Sequence, residues 1–351
     1  MTPADLSLTV LHAVRSAVDE GALRVAVPER VTIERPRPGG RGDYASNVAL
    51  TLARAARRAP LDVAAILRDR LRATPALAAV EITGPGFLNF TLRQEAQQDL
   101  VREILRQGDR YGRCELSGER TGEHAVIRHR ADVRAAVTAD ALRRILLSQG
   151  VVAHATCEGP VASDWGLLGV ETPATVAEQS SPDIAPVPSP YTPRELLHRL
   201  GVDAARWGLL SAAAHDRARL GDDLLHQHEG NPLFRVRYAH SRTRALLRNA
   251  EQLGFDSAAE RHVEDGRTLA GLLGDHPLVL ASAARHRAPD RVARHLEATA
   301  DALLDFQHTV LPLGDEKPSA AHRSRLALAE AAGVVLAGGL SLLGISAPDQ
   351  M

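Results

Sequence analysis

Asn231-Pro232-Leu233-Phe234-Arg235-Val236-Arg237-Tyr238-Ala239-His240-Ser241-Arg242 opens a run, continuing to residue 250, that holds Arg235, Arg237, Arg242, Arg244 and Arg248 and neither Asp nor Glu. Read as a helix, the run carries a local charge of +5 beside the flat ring of Tyr238. Arginines next to an exposed aromatic suit a single-stranded RNA loop, where guanidinium groups meet phosphates and the ring stacks on a base. Tyr238 and Arg242 stand at i and i+4, on one helical face. The blander reading is a solvated arginine face. From Thr192 onward the spacing stays helical, with Leu196, Leu197 and Leu200, then Leu209 and Leu210, then Leu224 and Leu225, so residues 191–351 read as an all-α bundle.

Upstream the pattern changes. Residues 1–112 alternate helical and extended stretches: a helix to about Glu20, an extended Val25–Arg35, helices after Tyr44 and Pro60, an extended Val80–Leu92 and a helix to Gln107. That is a small α/β domain. Residues 113–190 hold a strand at Ala125-Val126-Ile127, a helix around Ala135–Ser148 and a strand at Val151-Val152-Ala153, which make one βαβ unit. Pro173, Pro182, Pro186, Pro188, Pro190 and Pro193 mark residues 171–193 as an extended linker. The fold class is therefore α+β and multidomain.

Composition narrows the function classes. A formal charge of −1 over 351 residues excludes a chain-wide basic coat and leaves local patches as RNA contacts. All 42 basic residues are arginine except Lys317, so a mechanism that needs a lysine has one candidate. Cys114 and Cys157 are too few for a disulfide framework or a four-ligand zinc site. His124, His129 and His154 lack the spacing of helical zinc ligands, and no metal is expected. No apolar run reaches the roughly 18 residues of a membrane span, and the N-terminus lacks a signal pattern. A soluble cytoplasmic protein with no membrane partner is expected.

Several motifs carry a family resemblance. Gly42-Asp43-Tyr44-Ala45-Ser46-Asn47, Gly84-Pro85-Gly86-Phe87-Leu88-Asn89-Phe90, Asn231-Pro232-Leu233-Phe234, Tyr238-Ala239-His240-Ser241-Arg242 and the tail Leu342–Met351 stand in the order found in arginyl-tRNA synthetases. The chain resembles that family over residues 1–112 and about 192–351. The resemblance implies an N-terminal domain that leans on the tRNA elbow through Tyr44, Asn47, Phe87 and Asn89. It also implies a DALR-type anticodon-binding domain that acts through Arg237, Tyr238, Arg242 and the C-terminal Met351. Phe87 and Phe90 as strand core, and Asp43-Tyr44 as a helix N-cap with a packed aromatic, are the structural alternatives. Arg235, where the family often has tyrosine, and His295, where it usually does, are departures that change part of the anticodon surface.

The middle departs further. Aligning Asp140-Ala141-Leu142-Arg143-Arg144 with the family's similar helix puts its His-x-Gly-His turn on His129-Arg130-Ala131-Asp132. Ala131 replaces the glycine that lets backbone approach the nucleotide, and Asp132 places negative charge where phosphate must sit. His129 reads most simply as a solvated or hydrogen-bonded strand-end residue. Ala185–Tyr191, where the lysine loop belongs, contains no lysine. These departures predict a shrunken Rossmann-like remnant with no cofactor and no ATP binding. They predict a catalytically silent relative, a pseudoenzyme that binds tRNA, arginine tRNA first among the candidates, or a tRNA-like RNA. The alternatives are a protein-interaction or regulatory scaffold without RNA affinity, and an active arginine–tRNA ligase.

Overall fold

The computed structural model describes residues 1–36, 41–93, 95–114, 124–171, 183–351 and the backbone of 174–176. Its contacts divide the chain into two units, Met1–Arg102 and Glu103–Met351. In the first unit α1 (Pro3–Asp19) begins with a capping box: the Thr2 hydroxyl accepts from Asp5 N, and the Asp5 carboxylate accepts from Thr2 N. β1 (Tyr44–Ser46), α2 (Val48–Ala56), α3 (Pro60–Leu71), β2 (Leu77–Thr83) and β3 (Phe87–Leu92) follow. The antiparallel sheet has the order β1-β3-β2. Leu6, Val10, Val63, Leu67, Leu88 and Phe90 are among the residues of its core. Gly42 has φ +80° and lies so near β3 that a Cβ would come within 2.7 Å of Phe90 O, which explains the glycine. Val25–Arg35, expected to be extended, contributes a single bridge, Glu34 to Ala45. The chain boundary between the units falls inside α4 (Glu95–Gln107).

The second unit starts with a parallel sheet. β4 (His124–Arg130), α5 (Val133–Ser148) and β5 (Val152–Glu158) form the expected βαβ unit, with Ile127 paired to Ala155 in parallel register. β6 (Ala174–Val176) then adds to β5, giving the order β4-β5-β6. On the other edge of β4, Asp183 N and Ile184 N both donate to Arg128 O. Part of the stretch read as a linker is therefore sheet; its residues 172–173 and 177–182 lie outside the described residues. Proline density misled the sequence reading because Ala174-Thr175-Val176 is a proline-free, partly β-branched triplet beside an open strand edge.

The remainder is helical: α6 (Pro193–Leu210), α7 (Pro232–Gln252), α8 (Arg267–His286), α9 (Asp290–Phe306) and α10 (Ala320–Leu342). α10 packs against α7, α8 and α9. Its best 18-residue window reaches a mean hydropathy of 1.5, long and apolar enough for a membrane span, which corrects the sequence reading that no segment qualifies. That window is 67% buried, the pattern of a bundle's central helix.

Two arginines join the βαβ unit to the bundle. Arg134, near the start of α5 and 1% exposed, donates Nε to Leu209 O, Nη1 to Val187 O and Asp216 O, and Nη2 to Ala212 O and Ala213 O. Arg206 of α6, equally buried, donates to Leu168 O (2.8 Å), Leu343 O (2.9 Å) and the Asp140 carboxylate of α5 (2.7 Å). Burial lowers the pKa of both guanidinium groups, against the nearby aspartates that raise it. Arg134→Met is expected to cost about 3–5 kcal/mol, because it strands buried carbonyls. Urea unfolding of the full chain measures it; a loss below about 1 kcal/mol shows that water replaces the guanidinium.

His276 of α8 is buried, stacks on His295 of α9 (5.3 Å between centroids) and on Tyr111 (6.0 Å), and its Nδ1 has no hydrogen-bond partner. His295 itself is buried, so it is not the exposed RNA-facing substitution that the sequence suggested. Burial holds the His276 pKa well below its ordinary value, and His295 adds to the effect. The unfolded chain therefore takes up this proton while the folded chain does not. Stability is full above the ordinary histidine pKa of about 6.5 and falls as pH drops below it. Thermal midpoints between pH 8 and pH 5 are expected to decline less in His276→Phe than in wild type; identical slopes would refute this assignment.

Candidate nucleic-acid interface

The start of α7 explains its motif. Asn231 caps the helix through Oδ1, which accepts from Phe234 N, while its Nδ2 donates to Leu224 O and His226 O; Pro232 takes the first helical position, where no N–H is needed. One turn on, Phe234 and Tyr238 stack with centroids 5.6 Å apart and planes 14° from parallel. Tyr238 remains 38% exposed. Phe234 and Arg237 join Val202, Leu225, His226 and the terminal Met351 around a cavity of about 380 Å³. A flat aromatic next to an open, partly apolar cavity is the arrangement that receives an unstacked base.

The arginines of α7 are less free than a charge of +5 suggests. Arg235 pairs with Asp301 of α9 (3.0 Å), Arg237 with Asp203 of α6 (3.6 Å) and Arg244 with Asp349 of the tail (3.1 Å). Arg242 donates Nε to Gln307 Oε1 at 2.7 Å. Residues 235, 238 and 242 share one face and residues 237, 240 and 244 another. The tail covers the second face: Ser346 lies by Arg237, the His240 Nδ1–H donates to Pro348 O, and Asp349 sits on Arg244. Burial lowers the His240 pKa, which keeps the ring neutral beside that carbonyl. The tail is anchored from α6, where the Asp203 carboxylate accepts from both Ser346 N and Ser346 Oγ.

In the first unit the four expected elbow residues divide. Phe87 is 40% exposed beside the hairpin turn, and Asn47 is exposed ahead of α2 with no side-chain cap bond. Tyr44 is buried, with the Arg35 guanidinium 6.0 Å from its ring. Asn89 is also buried; it follows Phe87 by two residues on the same strand face and donates Nδ2 to Thr83 Oγ1 at 2.6 Å. Asp43 is not a helix cap, since its carboxylate accepts from Leu92 N and fixes the loop to β3.

At the β4–α5 turn, Asp132 is the N-cap of α5, and its Oδ1 accepts from Arg134 N (2.9 Å) and Ala135 N (3.2 Å). The carboxylate thus occupies the helix N-terminus. Ala131 lies between this cap and His129. His129 is 1% exposed, tilted against Trp165 at 5.6 Å, with Nδ1 bonded to Arg130 O and Nε2 without a partner. It is not a solvated strand-end histidine. Hydrophobic neighbours such as Trp165 came from a stretch to which the sequence reading assigned no contacts. Burial lowers its pKa. Among the described residues no group of three His, Cys, Asp or Glu side chains is placed to hold a metal ion.

Sequence reasoning missed Asp203, Arg206, Arg134 and Gln307. For the first two a signal existed: Asp203 and Arg206 stand at i and i+3 in an otherwise apolar turn, Val202-Asp203-Ala204-Ala205-Arg206. Arg134 and Gln307 act through residues far away in the chain, and no local pattern marks them.

Comparison with known proteins fits this geometry. Residues 8–92 match the arginyl tRNA synthetase N terminal domain and residues 236–351 the DALR anticodon binding domain. The chain is 28% identical to the arginine–tRNA ligase of Frankia alni and 26% identical to that of Renibacterium salmoninarum, in alignments covering 100% of both partners. The Frankia alignment takes 558 positions for a chain of 351 residues, so it is opened by gaps. The fold is similar to the arginyl-tRNA synthetase of Thermus thermophilus (TM-score 0.73, 15% identity, 100% of both chains). It is also similar to that of Plasmodium falciparum (TM-score 0.69, 8% identity, 99% of both chains).

These findings correct the expectation of a catalytically silent pseudoenzyme. The likeness is not confined to the two ends but runs through residues 113–191, and the relatives aligned along the whole chain are ligases. Nothing in them shows a catalytic domain to be lacking. Two segments of the chain thus match domains of arginyl-tRNA synthetases, and the whole chain is similar from end to end to arginine–tRNA ligases.

Proposed function

We propose that the chain is an arginine–tRNA ligase, joining arginine to tRNA at the expense of ATP. The observation that carries this reading is the alignment of the whole chain with arginine–tRNA ligases, with an N-terminal and an anticodon-binding domain in that family's order. In this reading Tyr238 and Met351 receive an anticodon base, Arg237 and Arg242 border it, and Phe87 with Asn47 meets the tRNA elbow. Tyr44 and Asn89 act from beneath: Asn89 steadies the hairpin through Thr83, and Tyr44 packs in the core. The β4–α5 turn, with the helix N-terminus behind it, is the place for the phosphates of ATP, and the Asp132 carboxylate is the group that opposes them there.

The direct test is aminoacylation: wild-type chain, arginine, ATP and unfractionated bacterial tRNA are expected to yield arginine esterified to tRNA. A protein that retains tRNA on a filter and charges none of it would refute the ligase reading while leaving the tRNA-binding reading standing. Asp132→Asn keeps an acceptor for the cap and removes its charge. It is expected to lower the KM for ATP by about two- to five-fold, the size of a helix-terminus charge effect; an unchanged KM places the phosphates elsewhere.

Binding variants separate the two kinds of contact. Tyr238→Ala is expected to weaken tRNA binding by about 1–3 kcal/mol, the usual worth of a base–aromatic stack, and to leave the salt dependence unchanged. Arg242→Ala is expected to flatten the slope of log affinity against log salt by about 0.7–0.9, the loss of one phosphate contact. Filter binding at several salt concentrations measures both, with helical circular dichroism as the check on folding. Equal slopes in wild type and Arg242→Ala would leave Arg242 a purely structural partner of Gln307.

A further inference from the structure

Residues 346–349 lie as a strap along one face of α7, held at three points on successive turns. Ser346 Oγ is 3.3 Å from Arg237 Nη2, Pro348 O accepts from His240 Nδ1 at 3.0 Å, and Asp349 Oδ1 is 3.1 Å from Arg244 Nε. The three holds differ in kind. Ser346 is fastened by Asp203 of α6, and Pro348 rests on a buried histidine. The last hold is different: the Arg244 and Asp349 side chains are 49% and 65% exposed, so their pair is solvated and cheap to open. Arg244 also lines, with Arg113, a second cavity of about 400 Å³ beside α7 and α10. Asp109 and Glu330 line the same cavity and oppose an anion there, which leaves the solvated Arg244 guanidinium as the group an anion can reach.

We propose that Asp349 holds the place of an RNA backbone phosphate: the strap is an internal occupant of an anion site at Arg244, and a phosphodiester displaces the Asp349 carboxylate when RNA docks. The exchange swaps one anionic oxygen acceptor on Arg244 for another, so the arginine never loses its partner. Arg237 does not open in the same way, because its carboxylate partner Asp203 belongs to α6 and stays in place when the Asp349 side chain swings off Arg244. The strap therefore lowers affinity for RNA. This inference rests on the tRNA-binding reading above.

The test compares Asp349→Asn with Asp315→Asn, which removes the same charge from an exposed turn before α10. Each is titrated with unfractionated tRNA at low salt in the full chain, alone and combined with Arg244→Ala. Asp349→Asn is expected to bind about two- to five-fold more tightly than Asp315→Asn, in keeping with the worth of an exposed pair. That gain is expected to vanish when Arg244 is alanine. If Asp349→Asn binds no more tightly than Asp315→Asn, or if its gain survives Arg244→Ala, the strap is no phosphate stand-in, whereas tRNA retention by wild type still upholds the binding reading. If neither wild type nor Asp349→Asn retains tRNA, the binding reading falls and the strap with it.

Discussion

A guanidinium that spends all five N–H donors on backbone carbonyls fixes the second unit of this protein. Arg134 reaches the carbonyls of Leu209, Ala212, Ala213, Asp216 and Val187, so the start of α5 is tied to the end of α6 and to the segments before and after that helix. A helix leaves its last carbonyls without internal partners, and a buried end requires donors from elsewhere. Arginine has the number of donors and the rigid fork to supply them; lysine has neither. Asp132, two residues earlier, caps the same helix, so one short segment serves the N-terminus of α5 and the C-terminus of α6 together.

Arg206 extends this constraint to the tail. It binds Asp140 of α5, Leu168 before β6 and Leu343 at the root of the tail. Gly344 follows with φ +70°, and a Cβ there would come 2.4 Å from the Arg206 guanidinium. The glycine is what allows the chain to turn over a buried charge and run back along α7. Asp203, three residues before Arg206, then takes hold of Ser346. One helix turn of α6 thus sets both where the tail begins and which face of α7 it covers. The place of Met351 in the cavity beside Phe234 is a consequence of those anchors rather than of its own contacts.

The surface that results is more balanced than its arginine content implies. Carboxylates from three different elements, Asp203, Asp301 and Asp349, meet three of the α7 arginines. Such pairs contribute little stability where they are exposed. Their larger effect is on binding, since a nucleic acid gains from an arginine only what remains after its resident partner is displaced. Tyr238, exposed and already backed by Phe234, meets no such competitor.

The sequence by itself determined the alternation of helices and strands in the first unit, the βαβ unit, the helical character of the bundle and the two ends that carry the resemblance. Hydrophobic period, caps such as Thr192-Pro193-Arg194-Glu195 and turn glycines are local, and they act over a few residues. It did not determine which polar residues face a ligand. Phe87 and Asn89 look equivalent in the sequence, yet one is exposed and the other bonded inward to Thr83. His129 reads as a surface histidine until Trp165 covers it. β6 hides within a proline-rich stretch because a strand needs only three suitable residues and an open edge. The charge of α7 depends on carboxylates 34 to 105 positions away in the chain, from Asp203 to Asp349. Pairing across such separations is decided by packing, because burial and opposite charge act on what is near in space, and only the tertiary structure says what that is.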